Sequence, residues 1–465
     1  MEEKLKDVLL DKSEFGWKKA SEDEIAQIFN FAEGYLKFLN KAKIEREFVK
    51  EAKRVAENNG FNDIKYIKDL KAGDKVYFIN RDKSMYLAII GSKNIEEGLN
   101  IIGSHIDSPR LDLKPNPLYE DSGMAYFKTH YYGGIKKYQW TTIPLSIHGV
   151  LVKANGDRIT VNIGEDENDP IFTITDLLPH LAQEQMEKKL KNGIEGENLN
   201  ILIGSMPFEG EDKEAVKLNI MSILFEKYGI TEKDFVSSEL EVVPAFKARS
   251  LGFDRSMCVA YGQDDKVCAY TSLMAMMELE NPEKTAVCIL ADKEEIGSMG
   301  NTGMESHMFD YFVSEILNKL NVNRPNLLDK VFCLSKMLSS DVDAGFDPLY
   351  ASVSDKRNAG YLGKGITINK YTGARGKSGA SDANAEYVAW IRNILEANDI
   401  KYQVSELGKV DIGGGGTIAY ILANKGVDVI DCGVPVLSMH APYEVTSKYD
   451  IYSAFRAYKA FWNRA

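Results

Sequence analysis

The sequence predicts an α/β fold in which a mixed sheet carries helices on both faces and is interrupted by a mostly β inserted domain. Three observations lead to this prediction. The chain has 465 residues, which is too long for one small core and indicates two to three domains. Strand and helix patterns alternate after Ser250, as in sheets covered by helices. Before that point, residues 114–247 change to a pattern typical of β-hairpins.

The N-terminal part is predicted to be helical and then extended. From Glu22 to Glu57, apolar residues recur at helical spacing, and the segment beginning at Ser21 offers an N-cap. The short apolar runs KVYFIN, SMYLAIIG and LNIIGSHID follow with turn residues between them, which predicts three consecutive strands. The last of these strands leads into His105.

The middle of the chain is predicted to form the inserted domain. The run PLSIHGVLVKANGDRITVNIG alternates like a β-hairpin with an Asn-Gly-Asp turn, and LLPHLAQEQMEKKLKNG has a helical pattern. We therefore expect a discontinuous main domain of residues 1–113 and 249–465, interrupted by a domain of residues 114–248.

The remaining segments alternate between strand and helix patterns. The predicted strands are SMCVAYG, TAVCILAD, DKVFCLS, KYQVSEL and VDVIDCG, and the predicted helices are YTSLMAMMELE, FDYFVSEILNKL, NAEYVAWIRNILEAN and DIYSAFRAYKAFW. In open α/β sheets, functional groups gather at the carboxyl ends of the strands. We therefore expect the chemistry of the protein at that edge.

Composition narrows the function classes. The formal net charge of −12 disfavours nucleic-acid and anionic-membrane partners, and no apolar run approaches the roughly 20 residues of a membrane span. A cytoplasmic location is expected, since no signal peptide is recognisable either. Five cysteines without CxxC spacing are predicted to be buried, reduced thiols. A metal would then be held by oxygen and imidazole ligands.

Acidic or histidine-bearing segments follow five apolar runs. They are GSHIDSP (103–109), GQDDK (262–266), LADKEEIGS (290–298), LSSDVDAG (338–345) and PVLSMHAPYE (435–444). Each segment alone is more often structural, but five of them at successive strand ends predict a metal site. Two imidazoles and several carboxylates suit zinc, manganese or cobalt, and an oxygen-rich set favours two metals about 3.5–4 Å apart.

The adjacent pair Glu294 and Glu295 is the most specific element of this set. Neighbouring side chains diverge, so one carboxylate can bind metal while the other handles protons. In the segment His105-Ile106-Asp107, Asp107 is placed to accept the second imidazole N–H, which fixes the tautomer of a ligating histidine. A turn-capping role for Asp107 is equally compatible with the sequence.

Together with YGG at 132–134 and KYTGARGKSGASDANAEY at 370–387, these segments closely resemble the M18 family of metalloaminopeptidases, the aspartyl aminopeptidase group. The resemblance implies a zinc-exopeptidase-like fold and two divalent metal ions per subunit, Zn²⁺ being expected and Co²⁺ or Mn²⁺ alternatives. The implied metal ligands are His105, Asp264, Glu295, Asp341 and His440. Glu294 resembles the general base that activates water. Asp264 resembles the bridging carboxylate, with Asp265 as the alternative.

The resemblance also implies self-association. Members of the family form a tetrahedral homododecamer that acts on peptides, so the inserted domain is expected to serve oligomerisation. The segment LLPHLAQ resembles one in which a histidine reaches the active site of the neighbouring subunit. His180 is therefore expected to take part in catalysis in the partner subunit.

The substrate pocket departs from the family pattern. Members close to the vertebrate enzyme carry Asp-Arg-Asp after the tryptophan that follows YGG, whereas Trp140 is followed here by Thr-Thr-Ile. A preference for acidic N-terminal residues is therefore not simply inherited. Lys370 and Arg375, and less so Lys377, are candidates to meet an acidic side chain. Gly416 and Thr417, at the end of a glycine run, are candidates to bring backbone N–H groups to the substrate.

The predicted function is a dinuclear metal-dependent aminopeptidase with a preference for N-terminal Asp and Glu. Two alternatives stay open. One is an aminopeptidase of broader specificity on the same scaffold, which substrates with Asp, Glu, Leu and Lys at the N-terminus would distinguish. The other is a non-catalytic assembly scaffold, which would have no reason to keep Glu294 together with the ligands.

Overall fold

The computed structural model describes residues 9–10, 14–322 and 324–464. They form two compact units. The first contains the described residues up to Asp107, Ala248–Met439 and those from Glu444 onward, and the second contains Ser108–Lys247 and His440–Tyr443. The domain boundaries expected from the sequence, with their functional roles, stay a prediction.

The strands of the described chain fall into three sheets. They are β1 (Asn62–Asp63), β2 (Lys75–Asn80), β3 (Ser84–Ile89), β4 (Asn100–His105), β5 (Arg110–Asp121), β6 (Met124–Tyr132), β7 (Leu145–Val152), β8 (Arg158–Ile163), β9 (Ile201–Gly204), β10 (Ser238–Pro244), β11 (Arg249–Leu251), β12 (Met257–Ala260), β13 (Ala286–Ala291), β14 (Lys336–Ser339), β15 (Asp343–Ala344), β16 (Ile366–Asn369), β17 (Tyr402–Val404), β18 (Asp428–Gly433), β19 (Pro435–Leu437) and β20 (Glu444–Ser447).

The α-helices occur in both units. They are α1 (Glu22–Leu39), α2 (Glu45–Asn58), α3 (Gln183–Glu187), α4 (Leu190–Gly193), α5 (Ala215–Tyr228), α6 (Gln263–Met277), α7 (Met308–Lys319), α8 (Leu327–Cys333), α9 (Ala385–Ala397), α10 (Ala419–Ala423) and α11 (Lys448–Arg464). In the part of the chain that the structure covers, none of these helices combines the length and the apolar character needed to cross a bilayer.

The first unit is built on a nine-stranded mixed sheet in the order β1-β2-β3-β13-β4-β14-β18-β16-β17. Alternate side chains of its strands enter two different cores, as the two-residue period of a strand requires. Tyr77 and Leu87 pack with helices α1, α2, α6, α9 and α11, whereas Phe78 and Ala88 pack with α7, α8 and α10. The predicted α/β fold with helices on both faces is therefore confirmed.

The first and last helices of this unit pack against each other. Helix α1 begins at the predicted cap, where the Ser21 side chain accepts the backbone N–H of Glu24 at 3.2 Å. Arg456 of α11 donates to Glu24 at 3.2 Å, and Tyr452 donates to Gln27 at 2.7 Å. Helix α11 also carries the buried Trp462 against the sheet.

The second unit contains a six-stranded sheet in the order β8-β7-β10-β5-β6-β9. Strands β7 and β8 pair antiparallel, as the hairpin pattern predicts. The expected helix in LLPHLAQEQMEKKLKNG is instead broken into a 3₁₀ turn and the short helices α3 and α4. Pro179 and an extended Lys188 interrupt the helical backbone there.

Two further predictions for the first unit are wrong. The segment DKVFCLS is mostly helical, because Leu327 and Val331 lie one helical turn apart and both enter the core beside α7. The strand starts only at Lys336. Of the five free cysteines, Cys333 is exposed, since it ends that helix at the surface, whereas the other four are buried as predicted.

Candidate metal centre

Three neighbouring parallel strands bring the predicted ligands of the first unit to one edge of the sheet. Strand β4 lies between β13 and β14 and is parallel to both. It ends at His105, β13 runs into the 3₁₀ turn Glu294–Ile296, and β14 is followed by Asp341. Because parallel strands share their carboxyl edge, these side chains converge as expected.

Helix α6 delivers the remaining carboxylates. Strand β12 ends just before Gly262, whose left-handed conformation turns the chain into α6. Asp264 and Asp265 at its start have non-helical dihedral angles and are joined by a cis peptide bond. The backbone N–H of Asp264 donates to Glu444 Oε2 at 3.1 Å, and Asp265 Oδ2 accepts the backbone N–H of His105 at 3.2 Å.

The His105 ring is the centre of the cluster. Its Nε2 lies 3.1 Å from Asp264 Oδ1, 3.7 Å from Asp341 Oδ1 and 3.9 Å from Glu294 Oε2. Its Nδ1 lies 3.0 Å from the carbonyl oxygen of Asp107 and 3.3 Å from its Oδ1. A proton on Nδ1 leaves Nε2 available as a ligand atom on the side of the other carboxylates.

Two overlapping groups of side chains meet the requirements of a metal site. Ligand atoms of His105, Asp264 and Glu295 lie within 4.8 Å of one another, and so do those of His105, Asp265 and Asp341. One imidazole and several carboxylates form a donor set that suits a divalent zinc-like cation. The residues present therefore fit the metal that the sequence implies.

The Asp107 carboxylate holds the backbone of Glu294 and Glu295 in place. Its Oδ1 accepts the backbone N–H of Glu294 at 3.1 Å, and its Oδ2 accepts that of Glu295 at 3.2 Å. The turn between Lys293 and Gly297, both left-handed, is thereby tied to the residue that faces the His105 ring. The sequence left open whether Asp107 caps a turn or contacts the imidazole. Its buried carboxylate is placed to do both.

The electrostatics of the cluster favour binding of positive charge. Burial lowers the pKa of His105, but hydrogen bonds to Asp107, Asp264 and Asp341 outweigh it, so that the pKa lies well above its ordinary value. Burial raises the pKa of Asp341, and it raises that of Glu294 to about 8, with a further contribution from nearby carboxylates. Such crowding of buried acidic groups is relieved when cations enter the site.

Two predicted site residues lie in the second unit. His440 has its Nδ1 2.8 Å from the carbonyl oxygen of Gly134. His180 is exposed, and so are its neighbours Leu178 and Leu181. The predictions that His440 binds metal and that His180 serves a partner subunit remain predictions.

The predicted substrate-binding residues belong to the first unit and differ in their surroundings. The Thr417 hydroxyl donates to the buried Asp431 at 2.7 Å. A Cβ atom at Gly416 would meet no other atom within 4 Å, so its backbone faces open space. Lys370 forms an ion pair with Asp382, whereas the structure records no ion pair for Arg375 with a carboxylate of the described residues.

Sequence reasoning missed three acidic residues that support this region. Glu444 was inside a recognised segment, but its bond to the backbone of Asp264 joins positions 180 residues apart. Asp431 and Asp382 lie within a strand and a polar loop, and no spacing pattern distinguishes them. Only the tertiary structure identifies their partners.

Comparison with known proteins identifies the family of the chain. The family model described as aminopeptidase I zinc metalloprotease (M18) matches residues 38–462. The probable M18 family aminopeptidase 1 of Clostridium acetobutylicum is 54% identical over 460 residues, which cover 98% of this chain and 99% of that protein.

Solved structures of the same family are similar in fold. The crystal structure of the M18 family aminopeptidase from Thermotoga maritima matches with a TM-score of 0.95 and 46% identity, covering 98% of this chain and 100% of that one. The S. cerevisiae mApe1 dodecamer is 20% identical, covers 94% of this chain and 97% of that one with a TM-score of 0.75, and shows likeness of fold alone. The chain therefore belongs to the M18 family of zinc metalloproteases and is an aminopeptidase.

Proposed function

We propose that this aminopeptidase works with two divalent metal ions, Zn²⁺ being the expected metal, and with Glu294 as the general base. The observation that carries the proposal is the pair of overlapping ligand groups around His105, each within 4.8 Å. The Glu294 carboxylate lies at the same site, 3.9 Å from His105 Nε2, and adjoins Glu295 in the chain. A base beside the ligands is what hydrolysis by an activated water requires.

The ligands divide between two ions in this proposal. His105 and Asp341 would hold one ion, and Glu295 and His440 the other. Asp264 would bridge the two, with Asp265 as the alternative bridging residue. Divalent ions in such a site supply a Lewis acid that polarises a carbonyl oxygen and lowers the pKa of water.

The chain's own residues handle the protons. Glu294 takes a proton from the attacking water, and the oxygen adds to the carbonyl carbon of the first peptide bond. Glu294 then delivers the proton to the leaving nitrogen as the C–N bond breaks, which releases the N-terminal residue and a peptide shortened by one. The neighbouring carboxylates would hold the free α-amino group, which accounts for action at the N-terminus.

Specificity has two candidates. Lys370 and Arg375 would favour an acidic N-terminal side chain if their charges face the pocket. A broader specificity is favoured by one observation, because Lys370 already forms an ion pair with Asp382 at 2.6 Å. Hydrolysis of substrates that carry Asp, Glu, Leu or Lys at the N-terminus decides between the candidates.

Replacing Glu294 by Gln tests the mechanism. The amide keeps the shape of the side chain but cannot accept the proton, so kcat should fall by about 10²–10⁴-fold. Bound metal, measured by elemental analysis, should equal that of the wild type. Glu305→Gln is the matched control, since Glu305 lies in the following segment and accepts from Tyr420. An E294Q variant that keeps metal and more than a tenth of the activity would refute the role of Glu294.

Self-association into a tetrahedral homododecamer is the second part of the proposal. Large apolar side chains of the second unit are exposed in the single chain, and such surface favours burial against another subunit. They include Leu177, Leu178, Leu181, Met186, Leu190, Met206 and Phe225. The name of the mApe1 structure calls that protein a dodecamer.

The cytoplasmic location stays a prediction, which the free cysteines support.

Mixed assemblies test whether His180 acts on a partner subunit. Subunits with His180→Ala and subunits with Glu294→Gln should each be inactive alone. When they are assembled together, an E294Q subunit can supply its His180 to an H180A subunit that keeps Glu294, so activity should return. No recovery in mixed particles, whose mass is checked by analytical ultracentrifugation, would contradict the exchange of His180.

A further inference from the structure

The basic loop, residues 370–383, starts close to a predicted metal ligand. It follows Asn369, the last residue of β16, whose register partner is Asp431 in β18. Asp431 in turn pairs with Ser339 in β14, two residues before Asp341. The loop closes on itself, because the backbone N–H of Ala383 donates to the carbonyl of Lys370 at 2.7 Å. Asn369, Asp431 and Ser339 thus lie side by side on three neighbouring strands, so the loop starts beside the segment that carries Asp341.

Buried hydrogen bonds hold the start of the loop in place. The Asn369 side chain donates to Asp343 Oδ1 at 3.2 Å, and Ser405 donates to Asn369 at 3.1 Å. The backbone N–H of Gly373 donates to Gly415 at 2.6 Å within the glycine run. The loop is therefore fixed between the segment of Asp341 and the run that ends at Gly416 and Thr417.

One carboxylate in this loop binds both lysines. Lys370 Nζ donates to Asp382 Oδ1 at 2.6 Å, and Lys377 Nζ donates to Asp382 Oδ2 at 3.0 Å. The Lys377 ammonium also lies 3.7 Å from the centre of the Tyr371 ring. These hydrogen bonds hold the pKa of Asp382 below its ordinary value, so the group is ionised at neutral pH. Each oxygen of the carboxylate is thus used by one ammonium group.

The three charged side chains are accessible to a ligand. Their exposed fractions are 42% for Lys370, 44% for Lys377 and 42% for Asp382. A substrate carboxylate could reach the lysines only in competition with Asp382, and it would also be repelled by that group. An uncharged N-terminal side chain of the substrate does not compete with Asp382 for the lysines and is not repelled by it.

Resting on the proposed aminopeptidase function, we propose that Asp382 is a specificity-determining residue, which withholds Lys370 and Lys377 from acidic N-terminal side chains and so favours uncharged ones. Arg375 is left as the cation of the loop without a carboxylate partner among the described residues. Asp382 therefore decides between the two candidates for specificity, in favour of the broader one.

The experiment compares two isosteric substrates, the p-nitroanilides of Asp and Asn, with the metal-replenished enzyme. The measured quantity is kcat/KM for the Asp substrate divided by kcat/KM for the Asn substrate. The wild type should favour Asn. D382N should raise the ratio about threefold to tenfold, as expected when two exposed ion pairs are lost and the lysines become available. The control D399N removes the ion pair of Asp399 with Lys401, 3.0 Å long, and should leave the ratio unchanged.

A second variant keeps the inference testable if D382N is unstable. Asp382→Ser also removes the carboxylate and should likewise raise the ratio, because both lysines lose their shared partner. An unchanged ratio in whichever of D382N and D382S is folded would overturn the inference. If the wild type hydrolyses none of the Asp, Asn and Leu substrates, the proposed function itself fails, and the inference with it.

Discussion

Replacing Asp107 by Asn should loosen the metal centre without removing any ligand. The carboxylate accepts one backbone N–H from each of the adjacent residues Glu294 and Glu295, at 3.1 and 3.2 Å. Its Oδ1 also lies 3.3 Å from His105 Nδ1. An asparagine keeps one acceptor oxygen but turns an NH₂ group toward the second backbone N–H. The substitution therefore perturbs two predicted ligands, His105 at its ring and Glu295 at its backbone.

The magnitude follows from these contacts. Hydrogen bonds to charged acceptors contribute about 1.5–3 kcal/mol each, and one is lost while the other weakens. The free energy of unfolding of the metal-free protein should then fall by about 2–4 kcal/mol. Substitution of a carboxylate behind a ligating histidine weakens metal binding about 10–100-fold. Because the turn carrying Glu295 also depends on Asp107, we expect a loss near the upper end of that range.

Competition with a chromogenic zinc chelator measures the affinity, and urea titration measures the stability. The matched control is Asp347→Asn, since the Asp347 carboxylate accepts the local backbone N–H of Leu349 at 2.9 Å, which is its one hydrogen bond recorded among the described residues. Its zinc affinity should stay within about twofold of the wild type. A zinc affinity of Asp107→Asn within threefold of the wild type would refute the view that this carboxylate positions the ligands.

The remaining predictions concern stability, and urea titration checks each. Gly433→Ala should cost more than about 3 kcal/mol, because the added Cβ would overlap the carbonyl oxygen of Asp341, whereas Gly376→Ala, with nothing within 4 Å, should cost less than about 1 kcal/mol. Burial raises the pKa of Asp431 to about 7. Between about pH 4 and pH 7, the folded protein therefore keeps a proton that the unfolded chain has released. The free energy of unfolding of the wild type falls as the pH rises through this range. Asp431→Asn should therefore gain roughly 2–4 kcal/mol relative to the wild type between pH 5 and pH 8, and a flat or shrinking difference would contradict the argument. Ser21→Ala should destabilise helix α1 by about 1 kcal/mol, and Ser21→Thr should recover most of that loss.

The features that follow from periodicity and strand order were predictable from the sequence. Apolar spacing predicted helices α1 and α2 and the strand that ends at His105. The rule that parallel strands share a carboxyl edge predicted that Glu295 and Asp341 would approach that histidine, and the ligand groups contain all three. These inferences need only local pattern and sheet topology.

Features that depend on tertiary contacts were not predictable. The short apolar run DKVFCLS fits a strand or one turn of buried helix equally well, and packing beside α7 decides for the helix. The basic charges of Lys370 and Lys377 were visible in the sequence, but their shared counter-ion Asp382 was not, since it depends on how the loop closes. Charge counts along a chain do not determine which charges remain available to a ligand.

The packing of helix α1 against helix α11 sets an order of events during synthesis. Helix α11 supplies Trp462 and other core residues of the first unit, so that core is incomplete until this helix has left the ribosome. At roughly 5–20 residues per second, synthesis beyond Lys247 takes on the order of 10–40 s. During that time residues 108–247 can fold on the nascent chain, while helix α1 lacks helix α11, against which it packs. Peptidase activity should therefore appear only once helix α11 has been synthesised and has packed into this core.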